Sequence, residues 1–360
     1  MALDVPGGRK NTAVNHSDYV VFEEMLSNSI DSYLIRRSRV ATAPPFWMRV
    51  SVAILQTDFF DPKFDVEISC SDNGAGFGDD EVKAFVTKDS TYKDLLQIPG
   101  LGKCKGAGRI QFFHHFERMA IDSVFEHEGK IQRRQLQVDE STRLVSEQSF
   151  ATTPADGGEI ATTFTLKGRR RSALTPEQKA DETSVPDIFS AKAIADHLYT
   201  TFLQRFIILK KLIGDFKIEV ESHHGKVFGR EFIDDNELPD PVGEITRLPL
   251  LCSHDKNSRA GPILRVTRYS FAQDNFPNFQ HEVALCANSA VVQQITKRYL
   301  RNAIDRKRPT AGRFELLLVE SDLLEEKVNQ QRDGFNIPAT CTESDTLKEE
   351  FSLEDIISPP

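Results

Sequence analysis

Between Ser17 and Arg39 the side chains of Phe22, Leu26, Ile30, Tyr33 and Leu34 recur at steps of three and four residues, which lays them in one stripe on a helix. The pattern predicts a long first helix. Two stretches, Met48–Leu55 and Phe64–Cys70, then alternate apolar and polar positions, the period of a half-buried strand. With the turn-forming FFDPK between them they read as neighbouring antiparallel strands. After Asp72 the chain is rich in glycine and charge as far as Arg109. It turns apolar in IQFFHHFERM, which reads as a helix, and alternates again over Ala120–Phe125 and Ile160–Leu166. Helices on one face of a mixed, mostly antiparallel sheet satisfy this order, so the expected class is α+β.

From Lys167 to Ser184 the chain is polar and aperiodic and carries Pro176, the composition of an exposed linker. The expected organisation is a first domain over residues 1–170, a linker over 171–189, a second α/β domain over 190–336 and an acidic tail over 337–360. The second domain opens with a helix over Ser190–Ile213. Strand-like pieces follow at Lys217–Glu221, Ile263–Tyr269, Glu282–Ala287 and Phe314–Val319, then a helix over Leu323–Gln331. Beyond Asn336 six acids and few large apolar residues predict a frayed end.

Composition narrows the function classes. With 360 residues, 39% hydrophobic and 28% charged, the chain is globular rather than disordered and favours two domains over one. Lys+Arg 45 against Asp+Glu 54 gives a net charge of −9, so no global basic field holds nucleic acid. Lys167–Arg171 and Lys297–Arg308 are local basic stretches that could meet a phosphate backbone, although solvated surface is the simpler reading. No apolar run has the length of a membrane span, and MALDVPGGRK lacks the apolar segment of a signal peptide, so a cytoplasmic location is expected. Five dispersed cysteines without a C-x-x-C pair suggest neither disulfides nor zinc.

Three features carry candidate chemistry. Glu24, Asn28 and Asp31 fall within a wedge of about 60° on the first helix, opposite its apolar stripe. A carboxylate and a carboxamide one turn apart suit a metal-phosphate site, the amide oxygen ligating Mg²⁺ and the carboxylate polarising a water. Taken alone, a solvated face is the simpler reading of the trio. The second feature is SDNGAGFG, Ser71–Gly78, directly after a strand. Its glycines allow close approach to a flat ligand, and Asp72 at the strand's end can accept from an exocyclic amine. Asn73-Gly74 also suits a simple hairpin turn. The third is GLGKCKGAGR, Gly100–Arg109, before an apolar helix, an anion cradle or a basic surface loop. It lacks the Gly-Lys-Ser/Thr ending of a Walker A loop. His114-His115 point about 100° apart on a helix, which argues against a shared ion.

The order of these features resembles the GHKL ATPase superfamily, which holds gyrase B, MutL, MORC proteins and the ninety-kilodalton heat-shock chaperone. Glu24 to Ser32 is similar to its first motif, Asp72-Asn-Gly74-Ala-Gly76 to its second, and Lys105-Gly106-Ala107-Gly108 to its third. The resemblance implies a Bergerat-type α/β sandwich that binds ATP and Mg²⁺, followed by a transducer-like domain. It implies that Glu24 is the general base, Asn28 the Mg²⁺ ligand, with Asp31 beside it, and Asp72 the acceptor for the adenine amine. Gly74 and Gly76 would line the base. Lys105, Gly106, Ala107 and Gly108 would wrap the phosphates in a lid running from about Asp79. Thr162 or Thr163 would assist Asp72, with Ala161 where the family often has glycine. Ser90-Thr91-Tyr92-Lys93 sits where MutL-like relatives carry a Ser/Thr-Lys pair. In Val319–Arg332, similar to the chaperone's strand, acidic turn and Asn-x-x-Arg, Arg332 would sense the γ-phosphate.

The function so implied is slow, Mg-dependent ATP hydrolysis driving a conformational switch between nucleotide-dependent homodimer states, with a protein client or separate effector subunit and no membrane. A chain ending at Pro360 leaves the long C-terminal region of such proteins to another segment or partner. Two readings compete with it. A phosphotransferase on the same fold would not need Glu24, and an interaction module would use the glycine loops only as turns.

Overall fold

A computed structural model describes residues 2–58, 63–87, 90, 92–96, 98–101, 108–155, 157–250, 261–272, 279–287, 289–329, 334–340 and 351–357. The chain opens with β1 (Ala2–Asp4) and α1 (Val5–Asn11), then the long α2 (Val20–Arg39). Strands β2 (Phe46–Gln56) and β3 (Phe64–Asp72) lead to α3 (Asp79–Val86), α4 (Tyr92–Leu95) and α5 (Gly108–His115). Next come β4 (Phe116–His127), β5 (Lys130–Val138), β6 (Leu144–Ser146), β7 (Ala151–Pro154) and β8 (Ala161–Arg169). Helices α6 (Pro176–Ala180), α7 (Val185–Ile188) and α8 (Ala191–Ile213) precede the hairpin β9 (Phe216–His224) and β10 (Val227–Asp234). The remainder holds β11 (Thr246–Pro249), β12 (Ile263–Ala272), β13 (Glu282–Ala287), β14 (Ala290–Gln294), α9 (Thr296–Tyr299), α10 (Ala303–Lys307), β15 (Arg313–Glu320), α11 (Asp322–Lys327) and α12 (Leu353–Ile357).

Two compact units result: Met1–Thr201 with Ile213–Asp235, and Phe202–Leu212 with Asn236–Pro360. In the first, eight strands form one sheet in the order β10-β9-β2-β3-β8-β4-β5-β7, antiparallel except where β9 runs parallel to β2. Alternation decides its two faces. Phe46, Met48, Val50, Val52 and Ile54 of β2 and Val66, Ile68 and Cys70 of β3 are buried, and the apolar stripe of α2, with Phe22, Leu26 and Ile30, is buried with them. The opposite face stays wet and carries ion pairs such as Arg49–Glu219 at 2.9 Å and Lys167–Glu67 at 2.8 Å. This is an α+β fold with helices against one face of a mostly antiparallel sheet.

In the second unit five strands run β11-β12-β15-β13-β14, with β13 parallel to β15. Tyr269, Phe271, Phe314, Leu316 and Leu318 are buried on one face. Leu264, Leu285 and Val319 on the other pack with Leu324, Ile337, Phe351, Ile356 and Ile357. Among the described residues no helix is long and apolar enough to cross a membrane.

Four expectations from sequence change. The stretch expected as a linker, 171–189, is packed: Ala173, Leu174, Val185 and Phe189 are buried, and Gln178 Nε2 donates to His16 O and Asp18 Oδ2, both at 2.9 Å. Gln178 ties the stretch to the rest of the first unit, while Glu177, Lys179 and Asp181 face solvent. The segment Lys217–Glu221, expected in the second domain, lies in β9 and joins the first sheet, because a parallel register pairs Val220 with Val50. The end expected to fray carries α12, whose Ile356 and Ile357 complete the second core. The helix expected through Met119 stops at His115, because Phe116 already pairs with Arg169 in the sheet.

Candidate functional site

The period of two in β3 that buries Val66, Ile68 and Cys70 also puts Asp72 on the apolar face. Register sets Thr162 of β8 opposite Asp72 and Ser123 of β4 opposite Thr162. Three polar side chains therefore form one buried row across three strands, at 8%, 6% and 0% exposure. Each has partners, as burial requires. The Ser123 and Thr162 hydroxyls share a hydrogen bond of 2.8 Å, and Phe77 N donates to Ser123 Oγ at 3.0 Å. Asp72 Oδ2 accepts from Ser29 Oγ at 2.8 Å, and Oδ1 from Gly74 N at 2.8 Å. Burial pushes the Asp72 carboxyl above the ordinary carboxylate range, and the two hydrogen bonds oppose that rise. Between the two candidate threonines the geometry discriminates: Thr163 pairs with Ser71, its hydroxyl 2.9 Å from Ser71 Oγ. Alternation sends it to the opposite face from Asp72.

The glycine loop after Asp72 is no hairpin turn, since the chain goes on to α3 and β3 pairs with β2 and β8. Asn73, fully buried, is a strut: Oδ1 accepts from Trp47 N at 3.0 Å, and Nδ2 donates to Pro45 O at 2.8 Å. Arg36 Nη1 on α2 donates to Asn73 O at 2.7 Å. Ala75 N donates to Ser32 Oγ at 3.0 Å. A Cβ on Gly74 would overlap Ser32 Oγ. Gly76 has φ +80, and a Cβ there would lie 2.6 Å from Phe125 Cβ. Both positions need glycine for this close approach.

The polar face of α2 meets two later segments. Lys93 Nζ, on α4, donates to Asp31 Oδ2 at 2.6 Å and to Asn28 Oδ1 at 3.1 Å. Asp31 is 1% exposed, so this face is not simply solvated. One turn earlier, the Glu24 carboxylate lies against the start of α5, where a Cβ on Gly108 would overlap Oε2. Asn28 adjoins Ser29, the residue bonded to Asp72, along α2, with the two side chains projecting about 100° apart. Lys105, Gly106, Ala107 and Arg332 lie outside the described residues.

Asn28 Oδ1 and Asp31 Oδ2 are hard oxygen donors, and an ammonium stands between them as a cation would. Among the described residues no group of three or more His, Cys, Asp or Glu side chains could hold a metal by itself. One carboxylate and one amide oxygen fit Mg²⁺, which keeps waters and takes its remaining ligands from substrate phosphates. Sequence reasoning did not single out Ser29 or Ser123. A signal existed, because Ser123 shares the parity of Ile121 and Phe125, and Ser29 sits three residues beyond Leu26 at the edge of the stripe.

The histidine pair has a structural task. His114 Nε2 donates to Thr12 O at 3.0 Å and His115 Nε2 to Asn15 O at 2.8 Å, while Gln111 bonds Asn15 N and Ala13 O. Together they hold the segment before α2. The basic stretch Lys167–Arg171 is also internally engaged, Arg169 with Asp18 at 2.9 Å and Arg170 with Glu140 at 2.8 Å.

No family model and no curated protein matches the chain. A crystal structure of the N-terminal domain of a DNA repair protein is similar over 94% of this chain and 90% of its own, at 14% identity and TM-score 0.48. The 43K ATPase domain of Thermus thermophilus gyrase B, in complex with an aminocoumarin, is similar over 88% of this chain and 81% of its own, at 13% identity and TM-score 0.38. At these identities and scores neither likeness carries a functional argument.

Proposed function

We propose that the first unit binds ATP with magnesium and hydrolyses it. The observation that carries this reading is the buried row Asp72, Thr162 and Ser123, joined through Ser29 to the helix that also bears the oxygen pair and the Glu24 carboxylate. Asp72 keeps acceptor capacity beyond Ser29 and Gly74, so it suits the exocyclic amine of adenine. Thr162 on the adjacent strand supplies a hydroxyl at the same level. Gly74 and Gly76 let the base approach the backbone.

At the other end Asn28 and Asp31 would hold Mg²⁺, which when bound neutralises phosphate charge. Glu24, four residues before Asn28, takes the proton of the attacking water. Phosphoryl transfer asks little covalent chemistry of a protein, so positioning these groups is the main contribution. Lys105 to Gly108 wrap the phosphates and Arg332 senses the γ-phosphate in this reading, with two subunits closing on ATP.

Filter binding and phosphate release with labelled ATP test it. Glu24→Ala retains ATP binding and loses hydrolysis, and Asp72→Asn loses binding. Wild-type protein that binds no ATP at millimolar concentration refutes the reading.

A further inference from the structure

Asp31 brings a carboxylate into a place that is 1% exposed, and a buried charge left without a partner is strongly destabilising. Lys93 answers it. The ammonium sits 2.6 Å from Asp31 Oδ2 and 3.1 Å from Asn28 Oδ1, with its side chain still 23% exposed. Resting on the Mg·ATP reading of this site, we propose that Lys93 is the resident counter-ion of the metal position and exchanges with the divalent cation as nucleotide loads.

The two cations want the same atoms. An ammonium brings one charge and three rotatable donors, with no demand on coordination number. A divalent ion brings twice the charge but needs octahedral oxygen coordination, which one amide and one carboxylate cannot complete. Without phosphates the ammonium therefore holds the site. With phosphate oxygens present, the divalent ion gains the missing ligands and displaces it. Lys93 can leave without dragging its segment away, because its neighbour is anchored elsewhere. Tyr92 Oη donates to Glu81 Oε1 and accepts from Arg39 Nη2, both at 2.8 Å. Exchange is thus a side-chain movement toward solvent from a position already 23% exposed. By linkage, whatever Lys93 contributes to the empty site is subtracted from metal affinity, and the reverse.

The experiment titrates Mn²⁺ into the 360-residue chain at fixed ADP, followed by electron paramagnetic resonance of free Mn²⁺. Lys93→Met and Lys93→Gln remove the charge, and Lys93→Arg keeps it. Both neutral variants are expected to take up Mn²⁺ at about fivefold lower concentration, the size of a partly exposed ion pair, with Lys93→Arg near wild type. A second readout is thermal: without metal the neutral variants melt below wild type, and saturating Mn·ADP closes the gap. Two variants guard against one that fails to fold, with circular dichroism as the check. Unchanged or weaker Mn²⁺ uptake in folded neutral variants, beside normal uptake by wild type, overturns the exchange and leaves the nucleotide site standing. Wild-type protein that takes up neither Mn²⁺ nor ADP overturns both.

Discussion

Ser29 and Asp72 meet where helix α2 crosses the end of strand β3, the serine hydroxyl donating to the buried carboxylate at 2.8 Å. The contact makes one object of a helix face and a sheet row that lie 43 residues apart in sequence. Ser29→Ala keeps the volume nearly intact and removes one of the two bonds that offset burial of the acid. Hydrogen bonds to charged groups contribute about 1.5–3 kcal/mol, so urea unfolding is expected to show a loss of that order. The Asp72 carboxyl then rises further from the ordinary range. Nucleotide affinity measured by calorimetry falls with it, more at pH 6 than at pH 8, because the protonated acid has lost acceptor capacity.

Asp72 also gives the protein a pH dependence with a definite sign. Its folded-state proton affinity is raised, chiefly by burial, so above the ordinary value of about 3.9 the folded state binds more protons than the unfolded. Stability from this group is therefore fully present in acid and declines as pH rises through the folded value. Asp72→Asn removes the titration while retaining an amide oxygen for Gly74 N. In melts without nucleotide, the variant is expected to gain on wild type as pH rises from 4 toward 8. A difference that stays flat or shrinks over that range contradicts the buried-charge account.

His114 and His115 act in the opposite direction. Burial holds both imidazoles below their ordinary range, although carbonyls of Thr12 and Asn15 accept from them. The folded state is thus the poorer proton binder, and stability present above about pH 6.5 is lost as pH falls through the folded values. His114→Gln/His115→Gln offers amide donors without titration. Its melting temperature is expected to fall less than that of wild type between pH 7.5 and 5. Hydrogen exchange of residues 12–16 in wild type rises over the same interval, as the clamped segment is released.

Local periodicity made much of the first unit legible. The stripe on α2, the alternation of β2, β3 and β8, and the long α8 each follow from neighbours within a few residues. What stayed hidden depends on distant partners. Lys217–Glu221 reads as a strand, yet nothing local says that it runs parallel to β2, which precedes it by 170 residues at the paired positions Val50 and Val220. Residues 171–189 look polar because their buried members, Ala173, Leu174, Val185 and Phe189, are few and follow no helical or strand period, and the bonds of Gln178 to His16 and Asp18 are invisible in the sequence. At the site, order along the chain brought out Glu24, Asn28 and Asp72. It did not reveal that Lys93 closes on Asn28 and Asp31, because a lysine in a polar segment looks the same whether solvated or paired. Choosing Thr162 over Thr163 needed the register of β3 with β8.

The closeness of Gly108 to Glu24 separates positioning from binding. A methyl group at Gly108 would overlap Glu24 Oε2, and the far end of that flexible side chain can swing aside. Gly108 opens α5, where alanine favours the helix over glycine, by at most about 1 kcal/mol. Gly108→Ala is therefore expected to melt at or slightly above the wild-type temperature while displacing the carboxylate from its place. If Glu24 is the base, kcat falls about 100-fold, the lower range for a lost general base, and the nucleotide Kd changes far less. The double variant Glu24→Ala/Gly108→Ala settles which group carries the effect, since changes acting through one another do not add. It is expected to turn over no more slowly than Glu24→Ala alone, because the methyl group then has no carboxylate to displace. A further drop of the same size on top of Glu24→Ala would mean that the methyl group acts through the phosphate contact proposed for Gly108, and Glu24 would lose its support as the residue that Gly108 makes room for.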